Sequence, residues 1–535
     1  MLSLGDAVAL CKNYTATHAK DAFRQPKGVL KHPYLVPAGP YNQEWDWDSL
    51  FLGVATLEWG SRAYLEGSML NFLAATNVSN GNVTGCLTPT LPTVCSSSSK
   101  EHEVGLRHAK PLIIQGAWLA ARAPGGSSRA FAPYRRQMEA LLAFWDRPPR
   151  RDAQTGLRTW HDQMESGADN CVLSRCPSAR SACWTEGQAY TLASADVMVY
   201  LQREHVAYAR FLDAWAAEDE LLDAETRATG GETHGALEQA PKVEKRAAAA
   251  HHRRAADALT RTLNERLWRA DLGYHMAINT STRAAIEAKT YVLALPLWAG
   301  LVNASQAAAI ARTLASPTML SAVGLRSSSA DDPRYSNADI IVPYSNWRGP
   351  MWVNANALAC YGLMRYGFRK LALDIAHRVT DTLARDLRAS GQWHEAYSTA
   401  DGAPLAAPGF LSWDTLSAEL LPNLMRGLDP LSLEDSLEDS LEGGSVGALH
   451  ARRDRQPGPN AAPAAPSERH SGAPPIDAWV DYSSQPPSKN CSSPLSCCAT
   501  PHLLFLCNRS AVCKCEEGGA CFTSKCGMDG CCRTW

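Results

Sequence analysis

Apolar residues recur at intervals of three and four positions through most of residues 1–430, which is the spacing of amphipathic or buried α-helices. Strands would show a sustained alternation of apolar and polar residues, and this region has no such alternation. The segments with helical spacing are 48–73, 110–122, 130–145, 192–215, 255–268, 289–300, 306–314, 351–366, 370–387 and 412–425. The pattern predicts an all-α domain of about ten helices, with strands confined to short loop hairpins.

The chain changes character after residue 430. Residues 431–489 contain an imperfect Leu-Glu-Asp-Ser repeat and then a run rich in Pro, Ala, Arg and Gly, a composition too poor in apolar residues to form a core. We expect this stretch to be a disordered low-complexity linker between the domain at 1–430 and a cysteine-rich tail at 490–535. Within the helical domain, the charged and alanine-rich stretch 216–250 is expected to extend a helix pair into solvent.

Cysteines and possible glycosylation sites favour an oxidising compartment. Ten of the 17 cysteines lie between Cys491 and Cys532, a density typical of a module held together by disulfide bonds, with metal binding as the alternative. Seven Asn-x-Ser/Thr tripeptides have the acceptor form for N-glycosylation. We therefore expect a glycoprotein of the secretory pathway, extracellular or vacuolar, although the N-terminus lacks the basic and apolar regions of a secretory signal.

Charge and hydropathy narrow the class of partner. The net charge of -2 gives no electrostatic attraction to nucleic acid or to an anionic membrane. The longest apolar stretches, such as 291–302, are too short to span a bilayer. The 16 tryptophans suit contact with the C–H faces of sugars, although they suit a protein core equally well. None of these features indicates an oligomeric state.

Two clusters in the first half of the chain bring carboxylates together with aromatic residues or glycine. Trp45, Trp47 and Asp48 lie at the start of an apolar helix, where they would offer stacking faces and a hydroxyl acceptor to a sugar. The alternative is that Asp48 caps the helix. Glu165 and Asp169 lie four positions apart with a glycine between them. If they are buried together, one of them would have the raised pKa that a general acid needs; the alternative is a solvated acidic loop.

Two further clusters lie in the second half of the chain. Trp347 and Arg348 precede a Gly-Pro pair that suits a turn into a helix. Arg348 would pair with a catalytic carboxylate, bind substrate hydroxyls, or form a structural ion pair at the helix start. Glu395 lies between Trp393 and Tyr397, an aromatic setting that would tune its carboxyl group, although most such glutamates are surface residues.

In this order and at these separations, the four clusters resemble motifs of glycoside hydrolase family 63 and its neighbours in the (α/α)6 clan. Residues 45–51 match a Trp-x-Trp-Asp-Ser-x-Phe motif, 165–170 a Glu-Ser-Gly-x-Asp-Asn motif, and 347–354 a Trp-Arg-Gly-Pro-x-Trp-x-Asn motif. The segment around Glu395 matches a Glu-x-Tyr motif that is followed by Phe-x-Ser-Trp. The resemblance covers roughly residues 25–428 and implies an (α/α)6 toroid.

The resemblance also implies a mechanism and a set of site residues. Asp169 would be the general acid and Glu395 the general base of an inverting hydrolysis at an α-linkage, with no metal and no cofactor. The helix that starts at Lys110-Pro111 looks like the family's Gln-Pro-Pro helix. The residues expected to bind substrate are Tyr41, Trp45, Trp47, Asp48, Gln115, Glu165, Trp347, Arg348, Trp352, Trp393, Tyr397 and Trp413. The chain departs from the usual family residues at Ala168, Cys171, Ala396 and Ser398.

The expected substrate comes from the architecture of the relatives. About 40 residues precede the first motif, whereas the larger processing glucosidases have a β-rich domain there. The chain thus resembles the compact mannosylglycerate hydrolase type, which implies a small α-linked conjugate such as mannosylglycerate or glucosylglycerate. The alternatives are an α-glucosidase or trehalase acting on a di- or oligosaccharide, and a carbohydrate-binding protein without catalysis.

Overall fold

The chain folds into two units, Met1–Gln456 and Pro457–Trp535, which are described separately. A computed structural model describes residues 2–90, 107–161, 164–174, 190–228, 242–340 and 345–434, together with four short strands beyond residue 503. Most of the predicted linker at 431–489, and most of the cysteine-rich tail, lie outside the described residues. The linker, the tail and its disulfide bonds therefore stay predictions.

Twelve α-helices lie in the described part of the first unit, which confirms the all-α prediction. They are α1 (Leu4–His18), α2 (Asp46–Ala55), α3 (Arg62–Ala75), α4 (Ile113–Arg122), α5 (Arg135–Trp145), α6 (Ala195–Ala228), α7 (Lys242–Arg266), α8 (Leu295–Trp298), α9 (Ala304–Leu314), α10 (Val353–Arg365), α11 (Arg369–Ser390) and α12 (Leu416–Arg426). Short 3₁₀ helices precede several of them, including Met164–Ser166, Tyr291–Ala294 and Ser412–Thr415.

The even-numbered helices form a closed inner ring. Each contacts the next, α2 with α4, α4 with α6, α6 with α8, α8 with α10, α10 with α12, and α12 with α2. The odd-numbered helices pack outside this ring, α1 on α11 and α12, α3 on α2 and α4, and α7 on α6. This double ring of six inner and six outer helices is the (α/α)6 toroid that the resemblance implied.

The strands are short and pair antiparallel in small sheets around the helices. They are β1 (Phe23–Arg24) with β2 (Tyr34–Leu35), β3 (Glu44–Trp45) with β4 (Cys86–Leu87), β6 (Trp268–Arg269) with β7 (Tyr274–His275), and β10 (His394–Tyr397) with β11 (Pro404–Pro408). A three-stranded sheet joins β5 (Leu192–Ala193), β8 (Ala277–Asn279) and β9 (Ala285–Ile286). In the second unit, β12 (Leu504–Cys507), β13 (Ala511–Cys515), β14 (Cys521–Phe522) and β15 (Arg533–Thr534) form one sheet in the order β14-β13-β12-β15.

The helix boundaries differ from the sequence pattern in three places. The segment predicted as one helix at 48–73 is two helices, because α2 ends at Ala55 and a short 3₁₀ turn, which Gly60 ends in a left-handed conformation (φ 92°), separates it from α3. Helix α1 was missed because its buried residues are the small Ala7, Cys11 and Thr15, which give a weak apolar stripe. The helix predicted at 289–300 is a 3₁₀ turn followed by a single α-helical turn.

The helical domain extends slightly beyond its predicted end at residue 430. Leu431 and Leu433 are buried against it. Arg203 donates to the Leu431 carbonyl, and Arg122 Nη1 donates to the Ser432 carbonyl at 3.1 Å. The boundary drawn from composition was therefore a few residues early, because two leucines in a polar stretch are enough to pack against the helices.

None of the helices in the described ranges is both long enough and apolar enough to cross a lipid bilayer.

Asn303 provides a test of how the outer helices are stabilised. Its side chain accepts from Gln306 N at 2.9 Å, and the Gln306 side chain accepts from Asn303 N at 3.0 Å, which forms a capping box at the start of α9. The Asn303→Ala variant is expected to lower the free energy of unfolding by about 1 kcal/mol in urea denaturation. The control, Asn303→Asp, loses the same glycosylation tripeptide but keeps the acceptor oxygen, so it should remain close to wild type. Equal losses in both variants would contradict the cap assignment.

Candidate active site

Four tryptophans form an aromatic cluster where the inner helices begin. Trp47 lies in the first turn of α2, Trp347 and Trp352 precede α10, and Trp413 precedes α12. The ring centroids of Trp347 and Trp352 are 4.0 Å apart in a stacked arrangement, and those of Trp47 and Trp413 are 5.3 Å apart. The connections into α2, α10 and α12 therefore meet at one end of the toroid, and the structure brings these four predicted residues together.

Asp169 is carried by the connection into α6. The preceding Gly167 has a φ of 87°, and a β-carbon there would lie 2.5 Å from the Trp47 ring, so glycine allows this loop to approach the aromatic cluster. Asp169 is partly exposed, and its Oδ2 accepts a hydrogen bond from the backbone N–H of Ser345 at 3.0 Å. The carboxyl group of the predicted general acid is thus accessible at the mouth of the ring.

Glu395, the predicted general base, lies on β10 in the connection from α11 to α12. Its side chain is buried, Oε2 accepts from the Tyr41 hydroxyl at 2.9 Å, and Oε1 accepts from the Ser345 hydroxyl at 3.0 Å. Burial raises the pKa of Glu395 from 4.5 to about 7, and the charges of Asp169 and Asp48 act in the same direction. The two hydroxyl donors oppose this rise because they stabilise the ionised form.

Ser345 connects the two carboxyl groups. It donates its N–H to Asp169 Oδ2 and its hydroxyl to Glu395 Oε1, each at 3.0 Å. The nitrogen and hydroxyl oxygen of one serine are at most about 3.7 Å apart, so the two bonded carboxylate oxygens lie within about 10 Å of each other. That limit accommodates the separation of about 6.5–9.5 Å that leaves room for a water molecule between an acid and a base.

The first turn of α2 contributes two further buried carboxylates, Asp46 and Asp48. Asp48 Oδ1 accepts from the Ser412 hydroxyl at 2.6 Å, and burial raises the pKa of Asp48 to about 7. Asp46 pairs with Lys110, whose Nζ is 2.9 Å from Asp46 Oδ1 and 4.7 Å from the centroid of the Trp47 ring. Asp48 thus lies with Glu395 and the tryptophans as predicted, and Asp46 is neutralised by a lysine.

Trp393 and Tyr397 point away from the pocket. Trp393 packs edge-on against Tyr14 of α1 with centroids 4.6 Å apart, and the Tyr397 hydroxyl donates to Asp386 Oδ2 of α11 at 3.0 Å. The register between β10 and β11 shifts in the middle of β10, which breaks the regular alternation of side-chain directions there. Both side chains therefore anchor β10 to outer helices, whereas the Glu395 carboxyl group bonds Tyr41 and Ser345, and substrate binding by Trp393 and Tyr397 stays a prediction.

Glu165 is a structural carboxylate. Arg150 donates to both of its oxygens, with Nη2 at 2.7 Å from Oε1. The backbone N–H groups of His108 and His161 also donate to it, at 2.7 and 2.6 Å. Arg150 balances its charge, so these contacts hold the loop that carries Asp169, and the substrate-binding role of Glu165 stays a prediction.

Gln115 is likewise buried inside the inner ring. Its Nε2 donates to the Pro111 carbonyl at 2.8 Å and to the Tyr200 carbonyl at 3.3 Å, and its Oε1 accepts from Arg203 Nε at 3.0 Å. Both ends of the amide are therefore used in joining the start of α4 to α6, and substrate binding by Gln115 stays a prediction.

Arg348 and Trp45 lie beside the start of two inner helices, α10 and α2. Arg348 is fully buried, and its Nε donates to the carbonyl of Asn170 at 2.7 Å, which holds the loop of Asp169 against the start of α10. This contact is to a backbone carbonyl, so it is not the structural ion pair that was one alternative, and the three roles considered for Arg348 stay predictions. Trp45 lies in β3 opposite Cys86, immediately before α2, and is partly exposed.

The sequence predictions did not assign a site role to Ser345, Ser412 or Lys110, although Ser412 belongs to the Phe-x-Ser-Trp motif and Lys110 starts the Lys-Pro helix. A single serine or lysine in a connection has no spacing that distinguishes it from a surface residue. Across the described ranges, no group of three or more His, Cys, Asp and Glu side chains is arranged to hold a metal ion. The described site therefore consists of carboxyl groups, hydroxyl donors and indole rings.

Sequence comparisons connect this site to known proteins. A family model described as the mannosylglycerate hydrolase MGH1-like glycoside hydrolase domain matches residues 41–413. Mannosylglycerate hydrolase MGH1 of Selaginella moellendorffii is 32% identical over 106 residues, 20% of this chain and 20% of that protein. The mannosylglycerate hydrolase of Thermus thermophilus is 29% identical over 154 residues, 29% of this chain and 34% of that protein. The aligned segments thus span a fifth to a third of these relatives.

Solved structures support the fold. The GH63 mannosylglycerate hydrolase of Thermus thermophilus, solved in complex with glucose, has a TM-score of 0.50 at 19% identity, covering 77% of this chain and 100% of that one. Neutral trehalase of Saccharomyces cerevisiae has a TM-score of 0.52 at 17% identity, covering 81% of this chain and 85% of that one. At these identities, the likeness shows the shared helical toroid.

The Arg150–Glu165 pair gives a prediction for the loop that carries Asp169. Arg150→Ala is expected to lower the free energy of unfolding by about 3–5 kcal/mol, because it leaves the Glu165 charge buried without its cation. The double variant R150A/E165Q removes that charge and keeps an acceptor for the backbone N–H groups, so it should regain a good part of the loss. A double variant no more stable than R150A, in urea denaturation, would show that the ion pair does not support the loop.

Proposed function

Because the chain belongs to the mannosylglycerate hydrolase MGH1-like glycoside hydrolase family, we propose that it hydrolyses an α-glycosidic bond with inversion. Asp169 donates a proton to the leaving oxygen, and Glu395 removes a proton from the water that attacks the anomeric carbon from the opposite face. One observation carries the proposal. Two carboxyl groups from separate connections of the toroid are bonded to a single serine, at an end of the ring that is lined by tryptophans.

The environment of each carboxyl group suits its role. Glu395 is buried and accepts from two hydroxyl groups, an arrangement that fixes the direction of its oxygens and favours the ionised form that a base requires. Asp169 is more exposed, as an acid that must reach the leaving oxygen would be. The indole rings exclude water from the sugar ring, and Asp48 is placed to accept hydrogen bonds from its hydroxyl groups.

The proposed substrate is a small α-linked conjugate of the mannosylglycerate or glucosylglycerate type. The names of the family and of its relatives from Selaginella moellendorffii and Thermus thermophilus support this choice. Hydrolysis of mannosylglycerate, glucosylglycerate, trehalose, kojibiose and nigerose should be compared at equal concentration. Preferential hydrolysis of a disaccharide would replace the proposed substrate without changing the proposed reaction.

Proton NMR of the first product formed tests the stereochemistry. Inversion at an α-linkage gives the β-anomer first, and mutarotation then produces the mixture. With mannosylglycerate or glucosylglycerate, whose leaving group has no anomeric carbon, wild-type protein is expected to release β-mannose or β-glucose first. Initial release of the α-anomer from either of these two substrates would rule out the assigned roles.

Two variants separate the acid from the base. Both Asp169→Asn and Glu395→Gln are expected to lower kcat by about 10²–10⁴-fold on a natural glycoside. On a 2,4-dinitrophenyl α-glycoside, whose leaving group needs no proton, D169N should recover most of its activity and E395Q should not. The exposed Asp271, which pairs with Arg269, gives the control D271N, expected to act as wild type. Recovery by E395Q instead would mean that the two roles are exchanged.

The pH dependence follows from the burial of Glu395. A protonated base cannot accept the proton of the attacking water, so kcat/KM should fall on the acid side with a midpoint near the raised pKa of about 7. A plot of kcat/KM against pH from 4 to 9 measures this midpoint. A midpoint near the ordinary glutamate pKa of about 4.3 would contradict the buried environment of the base.

A further inference from the structure

Ser345 stands at the geometric centre of the site, although no sequence motif singles it out. It is 7% exposed and lies in the connection from α9 to α10. Its N–H donates to Asp169 Oδ2 and its hydroxyl donates to Glu395 Oε1. One residue of a third connection therefore contacts both the carboxyl group from the α5–α6 connection and the one from the α11–α12 connection.

The residue next to Ser345 fixes its position. Asn346 Nδ2 donates to the carbonyls of Ser336 and Ala338, each at 2.9 Å, and the Asn346 carbonyl accepts from Trp352 Nε1 at 3.0 Å. Asn346 is itself buried. These bonds hold Asn346, the next residue in the chain. They therefore restrict the backbone position from which the Ser345 hydroxyl reaches Glu395.

The segment that begins with Ser345 is also bonded to the supports of both carboxyl groups. Trp347 N donates to Asn170 Oδ1 at 2.6 Å, next to Asp169 in the chain. Met351 exchanges two backbone hydrogen bonds with Tyr397, at 2.8 and 3.1 Å, on the strand that carries Glu395. Residues 345–351 therefore form a rigid spacer between the acid loop and the base strand, and Ser345 is the part of it that touches the carboxyl groups themselves.

We propose that Ser345 is a positioning residue that sets the spacing and orientation of the general acid and the general base; this inference rests on the proposed inverting hydrolysis. Tyr41 bonds the other oxygen of Glu395, so the carboxyl plane is defined by two donors. Inversion needs a gap that admits one water molecule, and a wider or narrower gap impairs water attack. Ser345 holds that gap by covalent geometry, since its two donors belong to the same residue.

The variant that tests this role is Ser345→Ala, which removes the bond to Glu395 and keeps the backbone N–H that donates to Asp169. Without the hydroxyl, the ionised form of Glu395 loses a donor, so its pKa rises. The acid-side midpoint of kcat/KM should therefore move up by about one pH unit, while the alkaline-side midpoint stays in place. We expect kcat to fall about tenfold with KM changed less than twofold. Ser345→Thr keeps a hydroxyl and should restore the wild-type midpoint.

Ser328→Ala is the matched control. Ser328 is equally buried, and its hydroxyl donates to the Trp347 carbonyl at 3.0 Å rather than to a carboxylate. The S328A substitution removes one buried hydrogen bond in the same region, so both S328A and S345A should lose stability. Only S345A should show a shift of the acid-side midpoint of kcat/KM. Midpoints of S345A and S328A that both coincide with wild type would overturn the proposal and leave Ser345 a structural residue.

A second measurement does not depend on turnover. Protein labelled with ¹³C at the glutamate carboxyl carbons is titrated by NMR, and the Glu395 signal is assigned by its absence in E395Q. The Glu395 midpoint of S345A should lie about one pH unit above that of wild type. Wild-type protein that cleaves no glycoside would refute the proposed function, whereas unchanged Glu395 titration in S345A would refute the positioning role specifically.

Discussion

The closed inner ring of helices is the constraint on which the rest of the structure depends. Six helices that contact one another in a cycle leave one end where the connections into them converge, however far apart those connections lie in the sequence. The contacts of Trp47 with Trp347 and Trp413 show this convergence directly, because these residues precede or begin three different inner helices. The ring creates the pocket, and the residues of the connections supply its chemistry.

Four of the buried carboxylates around this pocket form two pairs, according to what holds them. Asp46 and Glu165 are paired with a lysine and an arginine, which neutralise their charge and tie the connections to the ring. Asp48 and Glu395 accept hydrogen bonds from hydroxyl groups instead. Burial raises the pKa of both carboxyl groups, and the hydroxyl donors offset only part of that rise. A neutral donor orients a carboxylate without cancelling its charge. The second pair is therefore able to exchange protons or bind hydroxyl groups near neutral pH, whereas the first pair is committed to structure.

Hydrophobic periodicity predicted the all-α class and most of the helices, because most of these helices bury a long apolar face in the folded protein. It missed the features that depend on small residues or on a single turn, such as α1 and the break at Gly60. Motif resemblance located Asp169 and Glu395, but it could not tell which way neighbouring side chains point. Glu165 and Tyr397 belong to the same motifs and turn away from the pocket, because Arg150 and Asp386 hold them elsewhere. Arg150 and Asp386 lie outside the motifs, so the motif residues alone do not predict these contacts.

The bonds between the connections that carry Asp169 and Glu395 restrict how these connections can move. The segment 345–351 is bonded at one side to the loop of Asp169 and at the other to the strand of Glu395. Neither carboxyl group therefore moves relative to the other without breaking bonds to this segment, and the gap between them is a property of three connections taken together. The positions of Asp169 and Glu395 therefore depend on residues other than these two. In the toroid, the connection that carries Ser345 lies beside the connections that carry Asp169 and Glu395, so the spacing of the two carboxyl groups is held without a direct contact between like charges.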